Sequence, residues 1–324
     1  MACCMPWRRL CEADMAGEGD FIALMRTLAG TDGARGLLDD VAVLGDLVLT
    51  TDTLVEGVHY LPDDPADSVG WKLAAVNLSD LAAKGAQPVG CLLNYALTDD
   101  ASGEAAWEAG FARGLDEALR KYAMPLLGGD TVRMPPGAPR SLSLTAIGRC
   151  DGAVPTRAGA QAGDELWVTG PVGDAGAGLD LLRAGLSEPA ELVAACRRPQ
   201  PRLDHGRRWA PHAHASMDIS DGLLLDAQRM GEASGLAVII DHVPVSGVFA
   251  AQHGRSTASL LRAATAGDDY ELLFALPPGA RFGVPPDEHD GLIRIGRFEA
   301  GAGLRLVLDG EEVPLPARLG WEHN

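Results

Sequence analysis

The chain has 324 residues, 27 Lys and Arg against 45 Asp and Glu, a formal charge of −18 and 47% hydrophobic side chains. So much apolar material excludes disorder over most of the length, and no apolar run reaches the roughly 18 residues of a spanning helix, so no membrane partner is expected. The acid excess argues against nucleic acid as a partner and means that any phosphate ligand is held through recruited cations.

At about 150 residues per domain, the length predicts two domains. The six cysteines (Cys3, Cys4, Cys11, Cys91, Cys150, Cys196) form no C-x-x-C pair, which points to a reducing, cytoplasmic setting. Residues 1–14 contain Arg8 and Arg9 without an apolar stretch behind them, so they read as a disordered extension, with the folded chain starting near Met15. A short helix is expected over residues 19–28, and paired strands over residues 44–55. Val69, Leu73, Val76 and Leu81 predict a helix over residues 67–84, closed by Gly85. A strand follows over residues 88–97, then a helix over residues 102–122 opened by Ser102, with Glu104 and Glu108 in its early turns. Strands over residues 125–127 and 141–149 complete this half.

The Gly- and Ala-rich stretch 151–163 marks a boundary between domains at 15–150 and 151–324. Beyond it a strand over residues 165–169 runs into Gly170, Gly173, Gly176 and Gly178. Helices over residues 179–196, 203–211 and 223–233 are expected, with extended chain at 217–219 and strands at 237–241, 270–276, 292–298 and 304–308. The alternation gives an α/β class with two mixed α/β domains.

Aspartates recur beside Gly, Ser and Thr near the ends of the apolar strands. The clusters are Asp39-Asp40, Thr50-Thr51-Asp52, Asn77-Leu78-Ser79-Asp80, Gly128-Gly129-Asp130-Thr131, Asp218-Ile219-Ser220-Asp221-Gly222 and Gly267-Asp268-Asp269-Tyr270. Singly, each has a structural reading: Asp130 as a turn residue, Ser220 or Asp221 as a helix cap. Six together point to hard cations, because gathered carboxylates repel unless ions lie between them, and such oxygens suit Mg²⁺. Calcium in an EF-hand is excluded, since counting from Asp218 puts Arg229 where a bidentate Glu is required. The histidines offer no zinc spacing beyond His212 and His214, and no G-x-S-x-G occurs.

No G-x-x-x-x-G-K-[ST] loop and no H-R-D or D-F-G pair is present, so neither common nucleotide solution applies. The glycine loop after residue 169 fits either a phosphate cradle or close packing. With three lysines in the chain, phosphate neutralisation falls to metals plus one or two arginines, of which Arg157 is the choice, against the reading of a plain surface arginine.

In order along the chain, Thr51-Asp-Thr-Leu-Val-Glu-Gly-Val-His59, Asn77-Leu-Ser-Asp-Leu-Ala-Ala-Lys-Gly-Ala86, Leu127-Gly-Gly-Asp-Thr131, Asp218-Ile-Ser-Asp-Gly-Leu223 and Ala266-Gly-Asp-Asp-Tyr-Glu-Leu272 resemble the thiamine-monophosphate kinase family, over about Gly17 to Trp321. The resemblance implies ATP-dependent phosphorylation of thiamine monophosphate to thiamine diphosphate, in a homodimer whose N-terminal sheets pair into a barrel. It implies that Asp40, Thr50, Thr51, Asp52, Asp80, Asp130, Asp218 and Asp221 hold several Mg²⁺ ions, with Asp52, Asp130 and Asp218 at the catalytic centre. It further implies that Tyr122, Gly129, Asp130, Arg157 and Ser220 meet ATP, and that His59, Asp268 and Trp321 meet thiamine monophosphate. Trp321 has an equal alternative as an anchor for the C-terminal tail.

Two departures stand out. Leu38 replaces the glycine that usually precedes the first aspartate pair, which bears on Asp40, and Asp268 stands where Glu is frequent. Sister enzymes fit less well: selenophosphate synthetase wants a reactive cysteine in a glycine loop, and the hydrogenase-maturation member a terminal cysteine where this chain reads Glu322-His323-Asn324. The glycine-rich signature of aminoimidazole ribonucleotide synthetase is missing. A non-catalytic nucleotide or cation sensor is the alternative of a different class.

Overall fold

The computed structural model describes residues 18–98, 104–279 and 291–322, so the expected extension 1–14 and the Ser102 cap lie outside it. A helix α1 (Glu18–Arg26) and a 3-10 helix (Asp32–Leu37) lead into a five-stranded sheet. Its strands are β1 (Ala42–Leu44), β2 (Leu47–Val55), β3 (Gln87–Leu97), β4 (Leu126–Arg133) and β5 (Ser141–Arg149), in the spatial order β1-β2-β5-β3-β4. Val48, Thr50 and Leu54 of β2 and Leu142, Leu144 and Ala146 of β5 are buried, whereas Thr51 and Thr53 are exposed. This period of two places one face under helices α2 (Ala66–Ala83) and α3 (Glu104–Lys121) and leaves the other open. The strand expected at 125–127 extends to Arg133: β4 pairs in parallel with β3, and Gly128-Gly129-Asp130 is strand rather than turn. Gly129 is obligatory there, since a Cβ would sit 1.8 Å from the Leu93 carbonyl oxygen.

Helix α2 positions most of the site. All but three of its eighteen residues are buried, because it lies between the first sheet and the second domain, touching β2, β5, β7 and β9. One hydrophobic cluster accordingly runs from Leu73, Leu78 and Leu81 to Leu272, Phe274 and Leu276. The junction is a backbone-to-backbone contact: a Cβ on Gly206 would lie 1.9 Å from the Ala82 carbonyl oxygen.

The second domain has a seven-stranded sheet in the order β12-β11-β8-β10-β6-β9-β7. Its strands are β6 (Glu165–Val168), β7 (Ala215–Asp218), β8 (Leu236–Ile240), β9 (Leu272–Leu276), β10 (Ile293–Ala300), β11 (Gly303–Leu308) and β12 (Glu311–Val313). The helix expected over 179–196 is two, α4 (Asp174–Arg183) and α5 (Ala190–Arg197), separated at Gly185 (φ +72) and Pro189. Helices α6 (Leu203–Trp209) and α7 (Leu223–Ser234) match expectation. Helices α8 (Gly247–His253) and α9 (Thr257–Ala264) are additional, each opened by a serine, Ser246 or Ser256, whose hydroxyl accepts a backbone N–H.

Candidate active site

Asp40 follows the 3-10 helix, Asp80 lies on α2 and Asp218 ends β7, and one carboxylate oxygen from each falls within 4.8 Å of the others. Asp52 on β2 lies nearby, its backbone N–H donating to Asn77 Oδ1 of α2 at 3.1 Å. Thr50 donates its hydroxyl to Asp80 Oδ2, and Ser79 donates to Asp218 Oδ2 at 2.6 Å. Burial pushes Asp218 up to about 8 and Asp52 up to about 6, with repulsion from Asp40 adding to both; burial and the charges of Asp52, Asp218 and Asp40 drive Asp80 well above the carboxylate range. Oxygen-only donors that resist ionising together fit a hard divalent cation such as Mg²⁺.

Asp40 differs from its neighbours. Burial alone would raise it, but Lys84 and Arg157 outweigh that and hold it well below the usual range. Lys84, fully buried, donates to Asp40 Oδ2 and the Ser216 carbonyl, both at 2.8 Å, and pairs with Asp39 Oδ1 at 2.7 Å; Arg157 takes the other oxygen of Asp40. Arg35 ties this corner to the domain junction, pairing with Asp39 and donating to the Val154 carbonyl at 2.8 Å. Leu38 has φ −115, so this backbone does not need the usual glycine there; the positive φ angles fall on Arg35, Gly36 and Leu37 instead.

A cleft of about 320 Å³ opens beside the carboxylates. Asp52, Asp80, Asp218, Ser220 and Asp221 line it, together with His59, Asp268 and Trp321. His59 Nδ1 accepts the Val55 N–H at 3.0 Å, which places the imidazole proton on Nε2. The Trp321 backbone N–H donates to the Asp221 carbonyl at 2.9 Å, so the tail both anchors here and presents its half-exposed indole to the cleft. Asp221 pairs with Arg229, which also bonds Asp226 at 3.1 Å. Asp226 is fully buried and accepts the Asp221 and Gly222 N–H groups, fixing the Ser220-Asp221-Gly222 turn.

Other expected residues lie elsewhere. The rows Thr53–Ser143–Asn94–Asp130 and Asp52–Leu144–Leu93–Gly129 cross four strands, putting Asp130 and Gly129 about 14 Å from β2 at the exposed edge. Asp130 shares the open face with Thr53, whereas Asp52 points to the helix side. Thr51 also faces the open side, its hydroxyl donating to the Leu144 carbonyl at 3.2 Å. Arg157 stands behind Asp40, with its buried Nε unpartnered by any described residue. Tyr122 packs edge-on against Trp71 and bonds Gln200 at 3.2 Å, outside the cleft. The glycine loop is a packing device: the Gly173 N–H donates to both Asp269 oxygens at 2.8 and 2.9 Å, so an internal carboxylate occupies the start of α4. Lys72, Lys84, Arg183, Arg229 and Tyr270 were not expected at the site; a chain with three lysines, two of them inside apolar helix positions, carried that signal for Lys72 and Lys84.

Residues 14–150 match the family "AIR synthase related protein, N-terminal domain", and residues 161–313 match its C-terminal counterpart. The chain is 38% identical to the thiamine-monophosphate kinase of Caulobacter vibrioides, covering 95% of this chain and 91% of that protein. It is 37% identical to the Escherichia coli (strain K12) enzyme of the same name, covering 90% and 92%. A solved structure, AaThiL complexed with AMPPCP and TMP, superposes with a TM-score of 0.82 at 31% identity, covering 95% of this chain and 97% of that one. At this identity over nearly the whole of both chains, the chain belongs to the thiamine-monophosphate kinase family.

Proposed function

We propose that this protein transfers the γ-phosphoryl group of ATP directly to the phosphate of thiamine monophosphate, giving thiamine diphosphate and ADP. The observation that carries this reading is the convergence of Asp52, Asp80 and Asp218 with His59, Asp268 and Trp321 on one cleft. An acceptor phosphate oxygen, already ionised near neutral pH, attacks the γ-phosphorus; the bond to the β-bridging oxygen breaks and its electrons leave with ADP. No strong general base is needed, so catalysis reduces to placement and charge.

Asp40, Thr50, Asp52, Asp80, Asp218 and Asp221 are the proposed Mg²⁺ residues of the cleft, with Asp52 and Asp218 central. Thr51 and Asp130 face the other side of the sheet, so their proposed Mg²⁺ role, including a central one for Asp130, requires a site completed by a second copy. Mg²⁺, when bound, offsets the charge of the two phosphate chains and aligns them. Asp40, clamped by Lys84 and Arg157, holds the back wall of the group in place. Ser220 and Arg157 are proposed for ATP on the cleft side, where the orphaned Arg157 Nε suits a phosphate oxygen. Gly129, Asp130 and Tyr122, which stand outside the cleft, are proposed for ATP only in a site completed by a second copy. His59 Nε2–H is proposed as a donor to the acceptor phosphate, and Trp321 as an aromatic face for the cationic thiazolium, a reading supported by both lining the cleft.

The working unit is proposed to be a cytoplasmic homodimer with domains at 15–150 and 151–324. Edge strand β4 exposes Leu126, Leu127 and Val132, and an apolar groove of about 810 Å³ lies between it and α3, supporting pairing of the first sheets with a second copy. The test is chromatography of thiamine species after incubation with ATP and Mg²⁺, with free thiamine as parallel acceptor. Thiamine diphosphate formed from the monophosphate alone is the expected result. No product from folded, ATP-binding protein would overturn the reading.

A further inference from the structure

Lys72 lies in α2, only 4% exposed, yet its ammonium crosses between the domains. Nζ donates to the His59 carbonyl at 3.0 Å and to Asp268 Oδ2 at 2.8 Å. His59 is thus held by its carbonyl, by the Val55 N–H on Nδ1, and by its own N–H on the Val55 carbonyl at 2.9 Å. Asp268 is held at three points: Lys72 on one oxygen, the Tyr270 hydroxyl on the other at 3.0 Å, and its own N–H on the Ser220 carbonyl at 2.8 Å. Its backbone sits at φ +67, a left-handed conformation that a non-glycine residue keeps only when its surroundings dictate it.

We propose that Lys72 is a positioning residue for the acceptor half of the site: it locks the His59 turn of the first domain and the Asp268 loop of the second into one arrangement facing thiamine monophosphate. The proposal rests on the reading of His59 and Asp268 as acceptor contacts. An ammonium fits this duty because it reaches two oxygens from one compact atom, and burial between a carbonyl and a carboxylate makes both bonds charge-assisted. The shorter carboxylate of Asp268, where the family frequently has Glu, gains its fixed place from this lysine and Tyr270 rather than from reach.

The test compares wild type with Lys72→Met, Asp268→Asn and the double variant, reading turnover against each substrate and, by calorimetry, binding of thiamine monophosphate in the presence of Mg²⁺ and AMPPCP. Lys72→Met should raise KM and Kd for thiamine monophosphate roughly tenfold or more, with KM for ATP and kcat changed far less. Adding Lys72→Met to Asp268→Asn should cost little further, since the pair is already broken. Equal changes in both KM values, or full multiplication of the two single effects, would overturn the proposal. Should Lys72→Met fail to fold, Lys72→Gln takes its place: a folded neutral variant that binds thiamine monophosphate as tightly as wild type would overturn it too. Wild-type protein that binds no thiamine monophosphate would overturn the reading of the reaction itself, and the proposal with it.

Discussion

Asp218→Asn separates function from stability at the centre of the carboxylate group. Between its unfolded value of 3.8 and its folded value of about 8, Asp218 binds its proton more tightly in the native state. Stability of the metal-free protein therefore falls as pH rises from about 4 to about 8 and levels off above that. At pH 7, keeping the proton that the unfolded chain would release costs on the order of 4 kcal/mol. Asparagine needs no proton, and its carbonyl still accepts the Ser79 hydroxyl that lies 2.6 Å from Asp218. The metal-free variant should consequently be more stable than wild type, with Tm raised by roughly 5–10 °C near neutral pH.

Mg²⁺ should invert the order. Ions that bind the folded carboxylates stabilise the wild type by mass action, whereas the variant has lost a ligand and should gain little. Differential scanning fluorimetry from about pH 5 to pH 9, with chelator or with saturating Mg²⁺, reads both arms. Turnover of the variant should drop by about 100-fold or more. A variant that melts below wild type in chelator, or gains as much from Mg²⁺, would refute the claim that burial and mutual repulsion define this group.

Asp130→Asn, on an exposed edge strand, should leave Tm unchanged while abolishing transfer; wild-type turnover would remove Asp130 from the metal set. Leu127→Glu places charge on the 58% exposed β4 residue and should yield monomers in sedimentation velocity, while an intact dimer would place the interface elsewhere. Gly206→Val drives a side chain into the Ala82 carbonyl and should cost more than about 2 kcal/mol in denaturant unfolding.

Periodicity sufficed for most of the elements, and failed where long-range contacts override local preference. Leu126–Arg133 hid its strand because Gly128-Gly129-Asp130-Thr131 has turn composition; only pairing with β3 makes it extended. Helices α8 and α9 were missed although Ser246 and Ser256 stand at their starts as ordinary N-caps. The motif aspartates were legible as a group, because their spacing beside Gly, Ser and Thr is local. Their partners were not: Lys72 meets Asp268 across 196 positions, and Arg157 meets Asp40 across 117, separations that no sequence window spans.

Charge divides the carboxylate group into two kinds, and this division makes a prediction of opposite sign. Asp80, Asp218 and Asp52 face one another with raised proton affinity, whereas Asp40 has each oxygen on a resident cation. A group whose folded pKa is depressed contributes stability above its unfolded value and loses it only in acid. Asp40→Asn should therefore destabilise the metal-free protein at neutral pH, by about 3–5 kcal/mol if the loss matches that of other broken buried ion pairs. Lys84 would keep Asp39 and the Ser216 carbonyl, but Arg157 would lose the only described carboxylate it bonds. Urea unfolding in chelator reads the effect, and a variant as stable as Asp218→Asn would mean that Lys84 and Arg157 do not secure Asp40. The opposite signs expected for two aspartates in one cluster follow from their partners alone: a carboxylate already neutralised by fixed cations supports the fold even without metal, whereas one left uncompensated is stabilised chiefly by the cation it binds.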